Sequence, residues 1–363
     1  TFPSPYTVDT FKPSCGLYAY GRLWVAGVAS NDTQTVYFTD IQDPSDWTTG
    51  TAGYLDISAV IPTGDPIVAL AAHNGFLFIM CQKHIVIYNS PQVPAQMALQ
   101  DVVSGIGCIA RDSIANTGTD IIFLSSTGVR SLQRTIQEKS APFRELSKNV
   151  RNDLLAYVAG ETDATIKAVY SPKEAFYALS LTTGLVTYCF DTKTQLQDGS
   201  ARVTVWDSIE PKSFCKKLDG TLLIGKTGYV GQYGTYQDDA SSYRMVYFTN
   251  HADLGNQNQT SILKKLTTVV IGGSNQAVVF KWGFDFSENY RAQSVEIPSQ
   301  GEEYYNVAEY GIAEYADGVA LQTLVVHATG AGKIVQTGYE SDINGSGLSI
   351  QKIEIQAKNG KMS

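Results

Sequence analysis

The sequence predicts a mainly β protein: a β-propeller of about five or six blades over residues 1–242, then a β-sandwich-like unit over 243–363. Three observations predict it. The 363 residues include 21 Tyr, 14 Phe and 32 Gly, a composition suited to pleated, half-buried surfaces joined by tight turns. Short apolar runs alternate with turn residues. One paired-strand layout recurs, with its turns at Lys83, Gly128, Gly184 and Gly228, giving steps of 45, 56 and 44 residues.

Taken in order, the first hairpin joins Leu23–Ala26 to Val36–Thr39, about one step upstream of the rest. The next four span Phe78–Tyr88, Phe123–Leu132, Leu179–Tyr188 and Leu222–Val230. Three of their turns end in Thr-Gly, where glycine supplies the positive φ that a tight hairpin demands. Antiparallel units repeating every ~40–50 residues have the spacing of propeller blades, and one such unit cannot bury both faces alone. A single segment reads as helix: it follows Pro142, places Leu146, Val150, Leu154 and Val158 four apart, and stops at Gly160. Beyond residue 242 the pattern changes. Strands are expected at Ser261–Ile271, Ala277–Trp282, Leu321–Val326, Lys333–Thr337 and Leu348–Ala357, with turns at Asp317-Gly318, Asn344-Gly345 and Asn359-Gly360. Ser287–Asp317, rich in Glu and Tyr, reads as a long loop or extension.

Charge and cysteine usage narrow the function classes. With 27 basic against 35 acidic side chains the net charge is −8, which argues against a dedicated duplex-DNA binder. Apolar runs such as Ile67–Ala72 and Leu77–Cys81 fall far short of the ~20 residues needed to cross a bilayer, so no membrane span is expected. No charged start followed by an apolar stretch suggests a secretion signal. The five cysteines, at 15, 81, 108, 189 and 215, are scattered and odd in number, and read as free buried thiols of a protein assembled in a reducing cytosol.

Chemistry-bearing motifs are weak. Gly220-Thr221-Leu222-Leu223-Ile224-Gly225-Lys226-Thr227 satisfies a phosphate-loop pattern, but its middle is an apolar strand, and amides committed to a ladder cannot wrap a phosphate. His73, His84, His251 and His327 are dispersed, and His84 reads as a packed or surface strand residue rather than a base. Asp238-Asp239 reads as a turn or solvated face rather than a calcium site, and Glu302-Glu303 as a solvated loop. The sequons at Asn31, Asn258 and Asn344 are of the kind expected by chance, the last better explained as a turn. Asp43-Pro44-Ser45-Asp46-Trp47-Thr48 echoes a sialidase turn once only, and glycoside hydrolysis would need two carboxyls about 5–9 Å apart. No catalytic, cofactor-binding or metal residue is assigned, and no enzyme activity or cofactor is expected.

Several segments in collinear order resemble the tail nozzle and tail hub proteins of short-tailed bacteriophages. They begin with Gly21–Gly27, Thr35–Asp40 and Asp43–Trp47, and continue through Asn74-Gly75, Ile85–Tyr88, Gly107-Cys108, Asp120–Ser125 and Gly128–Leu132. Tyr247–Asn250, Asp253–Gly255 and Gly338–Gly345 complete the set. The resemblance implies a structural virion protein: a propeller with additional β domains, assembled as a homo-oligomeric ring, commonly of six. Such a ring sits below the portal and its adaptor, retains packaged DNA and conducts it outward at ejection, without sequence-specific binding. It also implies a place in the virion tail after assembly in the host cytoplasm, and leaves open whether tail fibres or spikes attach. The acidic balance suits a DNA conduit if the acids face the channel. Tyr229–Tyr243 and Glu302–Tyr315 are candidate subunit contacts, since aromatics anchor interfaces. The rival reading is a carbohydrate-binding or glycan-cleaving propeller used in host attachment, and a third is a cellular scaffold.

Overall fold

A computed structural model of the chain describes residues 2–28, 32–138, 145–207, 209–254, 259–273, 275–298 and 321–362. The chain divides into two compact units, Thr1–Tyr233 and Gly234–Ser363, a boundary nine residues before the one read from the sequence. The reason is local. The Tyr233 ring stacks on Trp206 in the first unit, whereas Gln237 donates from its side-chain amide to Asn344 Oδ1 (2.7 Å) in the second.

The first unit holds five antiparallel sheets, each made of consecutive strands. The first comprises β1 (Cys15–Ala19), β2 (Arg22–Ala26), β3 (Thr35–Phe38) and β4 (Gly53–Asp56). The second comprises β5 (Ile67–His73), β6 (Phe76–Cys81), β7 (His84–Asn89) and β8 (Ala98–Ser104). The third has β9 (Ala115–Asn116), β10 (Ile121–Ser125) and β11 (Gly128–Ser131), and leads into two short helices, α1 (Leu132–Glu138) and α2 (Arg151–Val158). The fourth has β12 (Ile166–Ser171), β13 (Phe176–Leu181), β14 (Val186–Gln195) and β15 (Ala201–Trp206), and the fifth β16 (Ser213–Lys216), β17 (Leu222–Lys226) and β18 (Tyr229–Gln232). Every hairpin read from the sequence is the second-to-third strand pair of one sheet. The first strands of all five sheets border one cavity, so the sheets are blades set around an axis and the unit is a five-bladed propeller.

Apolar side chains on both faces of the middle strands explain the stacking. β13 is buried at all six positions, because its alternate residues serve two different seams. Leu77 and Ile79 join Trp24 and Phe38 between the first and second blades. Phe78 and Met80 join Ile121 and Phe123 between the second and third. Tyr177 and Leu179 join Leu124 and Val129 in the next seam, and Phe176 and Ala178 join Leu222 in the last. The outer face of the first blade instead packs Val25 and Tyr37 against Phe11 and Trp47. No residue of the fifth blade belongs to that cluster among the described residues.

Three local readings need correction here. The helix starts at Arg151 after a 3-10 turn at Lys148–Val150, not soon after Pro142, which lies outside the described residues. Leu146 cannot be helical because its backbone is spent across blades: its N–H donates to Val129 O (3.0 Å) and its carbonyl accepts from Ala201 (3.0 Å). The apolar spacing was still informative, since Leu146 and Leu154 are buried. In the β13–β14 turn of the fourth blade the left-handed residue is Leu185 (φ 53°), not Gly184. The loop between Leu181 and Val186 holds four residues, which moves the tight position one place on. Glycine is wanted at 184 for space, as a Cβ there would stand 2.7 Å from the Tyr157 ring. Finally, the thiols are all free, but Cys215 is exposed while the other four are buried.

The second unit is a β-sandwich of β19 (Tyr243–Phe248), β20 (Ala252–Asp253), β21 (Gln259–Gly272), β22 (Ala277–Phe284), β23 (Arg291–Glu296), β24 (Leu321–Val326), β25 (Ala331–Gly332), β26 (Ile334–Ile343) and β27 (Leu348–Met362). One sheet runs β19-β26-β22-β23 with β20 also on β26, and the other sets β24, β25 and β27 against the long β21. Phe280, Trp282 and Tyr339 of one sheet meet Leu266, Val270 and Leu324 of the other in a shared core. Two expectations change. β23 interrupts the segment read as a loop from Ser287, and β27 runs on through Asn359-Gly360. β27 stays paired with β21 there, through a register shift between Gln259 and Ser261. Asp317-Gly318 and the remainder of the expected loop lie outside the described residues.

Candidate functional site

The blade axis carries a cavity of about 800 Å³, within the range of small-molecule sites. It forms because each innermost strand pairs on one side only, leaving five strand edges around a common space. Small residues keep it open: Gly16 on β1 and Ala69, Ala71 and Ala72 on β5 line it, beside Ser213 and Phe214 of β16.

Four charged residues stand among the lining: Arg111, Asp112, Lys167 and Lys212. They come from three blades. Arg111-Asp112 opens a 3-10 turn, Arg111–Ser113, just before β9; Lys167 is in β12 and Lys212 immediately precedes β16. Asp112 Oδ1 accepts from Arg111 Nε (2.8 Å), while its other oxygen accepts from the Lys167 ammonium. Arg111 Nη1 donates to the Ser14 carbonyl just before the first blade, and the Arg111 backbone N–H donates to Asp163 Oδ1 (2.7 Å). The network therefore ties the first, third and fourth blades together across the axis. Burial works to raise the Asp112 carboxyl, but the Arg111 and Lys167 hydrogen bonds outweigh it and hold it below the ordinary carboxylate range. The hydrogen bond to Asp112 raises Arg111 in turn. A carboxylate depressed on folding adds stability that is present above its unfolded pKa and fades as pH falls through the folded one. The clasp is thus formed at neutral pH and loosens in acid. None of these four residues was singled out from sequence. Each lies in, or within four residues before, the first strand of a blade, so registering the repeats on those strands was the available signal.

Residues that the sequence did single out have structural work elsewhere. Leu222–Lys226 is the central strand of the fifth blade, hydrogen-bonded on both sides, so the phosphate-loop match is a ladder strand. His84 Nδ1 lies 2.6 Å from Asp65 Oδ2, and Asp65 also accepts from Lys83 N–H (3.1 Å), which braces the β6–β7 turn. Asp43 and Asp46 accept from the backbone N–H groups of Ser45 and Thr48 (each 3.0 Å), a pair of Asx turns that presents Trp47 to Phe11. Asp238 and Ser241 exchange two backbone hydrogen bonds of 2.9 Å around left-handed Asp239 and Ala240, a tight turn. Asn344-Gly345 is likewise the turn between β26 and β27. Glu302-Glu303 and the sequons at Asn31 and Asn258 lie outside the described residues. Among the described residues no group of three or more His, Cys, Asp or Glu is placed to hold a metal ion, and no helix is long and apolar enough to cross a membrane.

Thiol chemistry follows burial. Burial pushes Cys15 and Cys108 up to about 11, and Cys81 and Cys189 to about 12, so thiolate is scarce at neutral pH. The native protein is expected to take one maleimide, at Cys215, and all five only after denaturation; intact mass spectrometry reads the difference. A second native adduct would contradict the packing of the seams.

No protein-family model matches the chain, and no curated protein matches it. Among solved structures it is similar to a streptogramin B lyase at 9% identity and a TM-score of 0.32, over 67% of this chain and 74% of that one. It is also similar to the AfRom2 CNH domain at 11% identity and a TM-score of 0.33, over 58% and 62%. For the Neurospora crassa Pan2 WD40 domain the values are 10% and 0.31, over 56% of each chain.

Proposed function

We propose that the chain is a structural subunit of the tail nozzle or hub ring of a short-tailed bacteriophage, retaining packaged DNA and conducting it at ejection. The observation that carries this reading is the order of parts: a propeller followed in the chain by a separate β unit, the arrangement the tail-protein resemblance implies. The segments behind that resemblance also fall at equivalent places. Arg22–Ala26, Ile85–Tyr88, Ile121–Ser125 and Gly128–Ser131 are second or third strands of their blades. Four seams of interlocked aromatic and aliphatic side chains suit a part that works by shape under load. A net charge of −8 per subunit favours weak adhesion to DNA phosphates. Such a subunit joins portal or adaptor proteins in the virion tail, after assembly in the host cytoplasm. Electron microscopy of the purified protein, alone and with its adaptor, tests the reading. A closed ring with rotational symmetry, six-fold by the resemblance, is the expected result. A persistent monomer that turns over glycans would replace it with the carbohydrate reading.

A further inference from the structure

We propose that the axial cavity of the propeller is a binding site for an oxyanion-bearing ligand, one that presents carboxylate or phosphate groups. The inference is independent of the tail reading. Three cations and one acid line the cavity, a positive excess in a chain whose net charge is −8.

The site already shows how it holds an oxyanion. Asp112 is gripped by the Arg111 guanidinium, with Nε on Oδ1 (2.8 Å) and Nη2 on Oδ2 (3.4 Å), and by the Lys167 ammonium, also on Oδ2. That contact uses one of the three ammonium protons of Lys167, so the same group has donors left for a second oxyanion. Lys212 sits on the fifth-blade side of the cavity, and among the described residues no carboxylate pairs with it. The innermost strands add backbone donors, since each leaves one edge unpaired within its sheet. A ligand carrying two or more oxyanion groups engages Lys167 with one and Lys212 with another, across a space large enough to hold it.

Lys212 takes no part in the Arg111–Asp112–Lys167 clasp, so changing it tests binding without loosening the blades. The probes are inorganic phosphate, citrate and a hexaglutamate peptide, titrated calorimetrically at low ionic strength against the full chain. At least one should bind saturably, weakening severalfold as salt shortens the screening length. Lys212→Met should weaken it about tenfold, the equivalent of one interaction of ~1.4 kcal/mol, with no change in thermal midpoint in anion-free buffer. Asp112→Asn, which removes the competing negative charge, should bind the anion more tightly. The best of the three probes identifies the source: free phosphate, a small polycarboxylate or an acidic peptide. Failure of all three to saturate overturns the proposal, and so does binding that Lys212→Met leaves unchanged.

Discussion

Glu145→Ala is expected to destabilise the propeller unit by about 3–5 kcal/mol, the range for removing one partner of a buried ion pair. The Glu145 carboxylate is fully buried. It accepts from Arg151 through both oxygens, Nη2 donating at 2.6 Å, and Arg130 Nη2 lies 3.9 Å away with a side chain only 4% exposed. Truncation leaves two guanidinium groups around the space of a lost carboxylate. Arg151, which is 39% exposed, can turn to water. Arg130 cannot, being only 4% exposed and pinned by its Nε and Nη2 donating to the Thr127 hydroxyl at 3.0 and 2.9 Å. The cost arises because desolvation of the cation was already complete in the native state, so the missing attraction is not replaced by solvent. Glu145→Gln keeps the shape and part of the hydrogen bonding, and should fall between wild type and alanine. Glu174→Ala, at an exposed turn, should move stability by less than ~0.5 kcal/mol. Urea unfolding followed by tryptophan fluorescence ranks the three. Equal midpoints for Glu145→Ala and Glu174→Ala would show the buried pair to be energetically idle.

The same residues show why some of the fold was legible in the sequence and some was not. Middle strands such as Phe76–Cys81 and Phe176–Leu181 serve two seams, so they read as unbroken apolar runs closed by turn residues. Apart from β5 (Ile67–His73), the inner strands do not. β1 alternates buried Cys15 with exposed Gly16 and Tyr18, and β9 is two residues long. A strand of that kind carries no periodic signal. β23 escaped notice for a related reason: four of its residues, Arg291–Ser294, are all exposed, as expected for an edge strand of polar residues. The turn signal at Asn359-Gly360 was overridden by a long ladder with β21, tertiary pairing prevailing over local preference. The charged lining of the cavity was illegible because Arg111, Lys167 and Lys212 are far apart in the chain. They meet only when blades three, four and five share an axis.

Trp24→Ala should cost about 3–5 kcal/mol, as large aromatic truncations in a core do, and the loss should be uneven along the unit. Trp24 is fully buried, packs on Phe38 with ring centroids 4.9 Å apart, and donates from Nε1 to Ala19 O (3.1 Å). It is the largest side chain in the cluster joining the first and second blades. Stacked repeats are held mainly by nearest neighbours, and the blades differ in how many neighbours they have. The fourth blade is sealed by apolar clusters on both sides. The first has its seam with the second, while its other face is closed by Phe11 and Trp47 rather than by a further blade. Its remaining tie across the axis is polar: the bond from Arg111 to the Ser14 carbonyl. Emptying the Trp24 site therefore weakens the one apolar seam that joins the first blade to another blade. Hydrogen exchange of Trp24→Ala should accelerate over Cys15–Asp56, while Phe176–Phe190 keeps near-native protection. Raising salt should widen that difference, since screening acts on the Arg111 clasp and spares the apolar seams. Uniform acceleration over both regions would mean that the five blades unfold as one cooperative block, with no seam weaker than another.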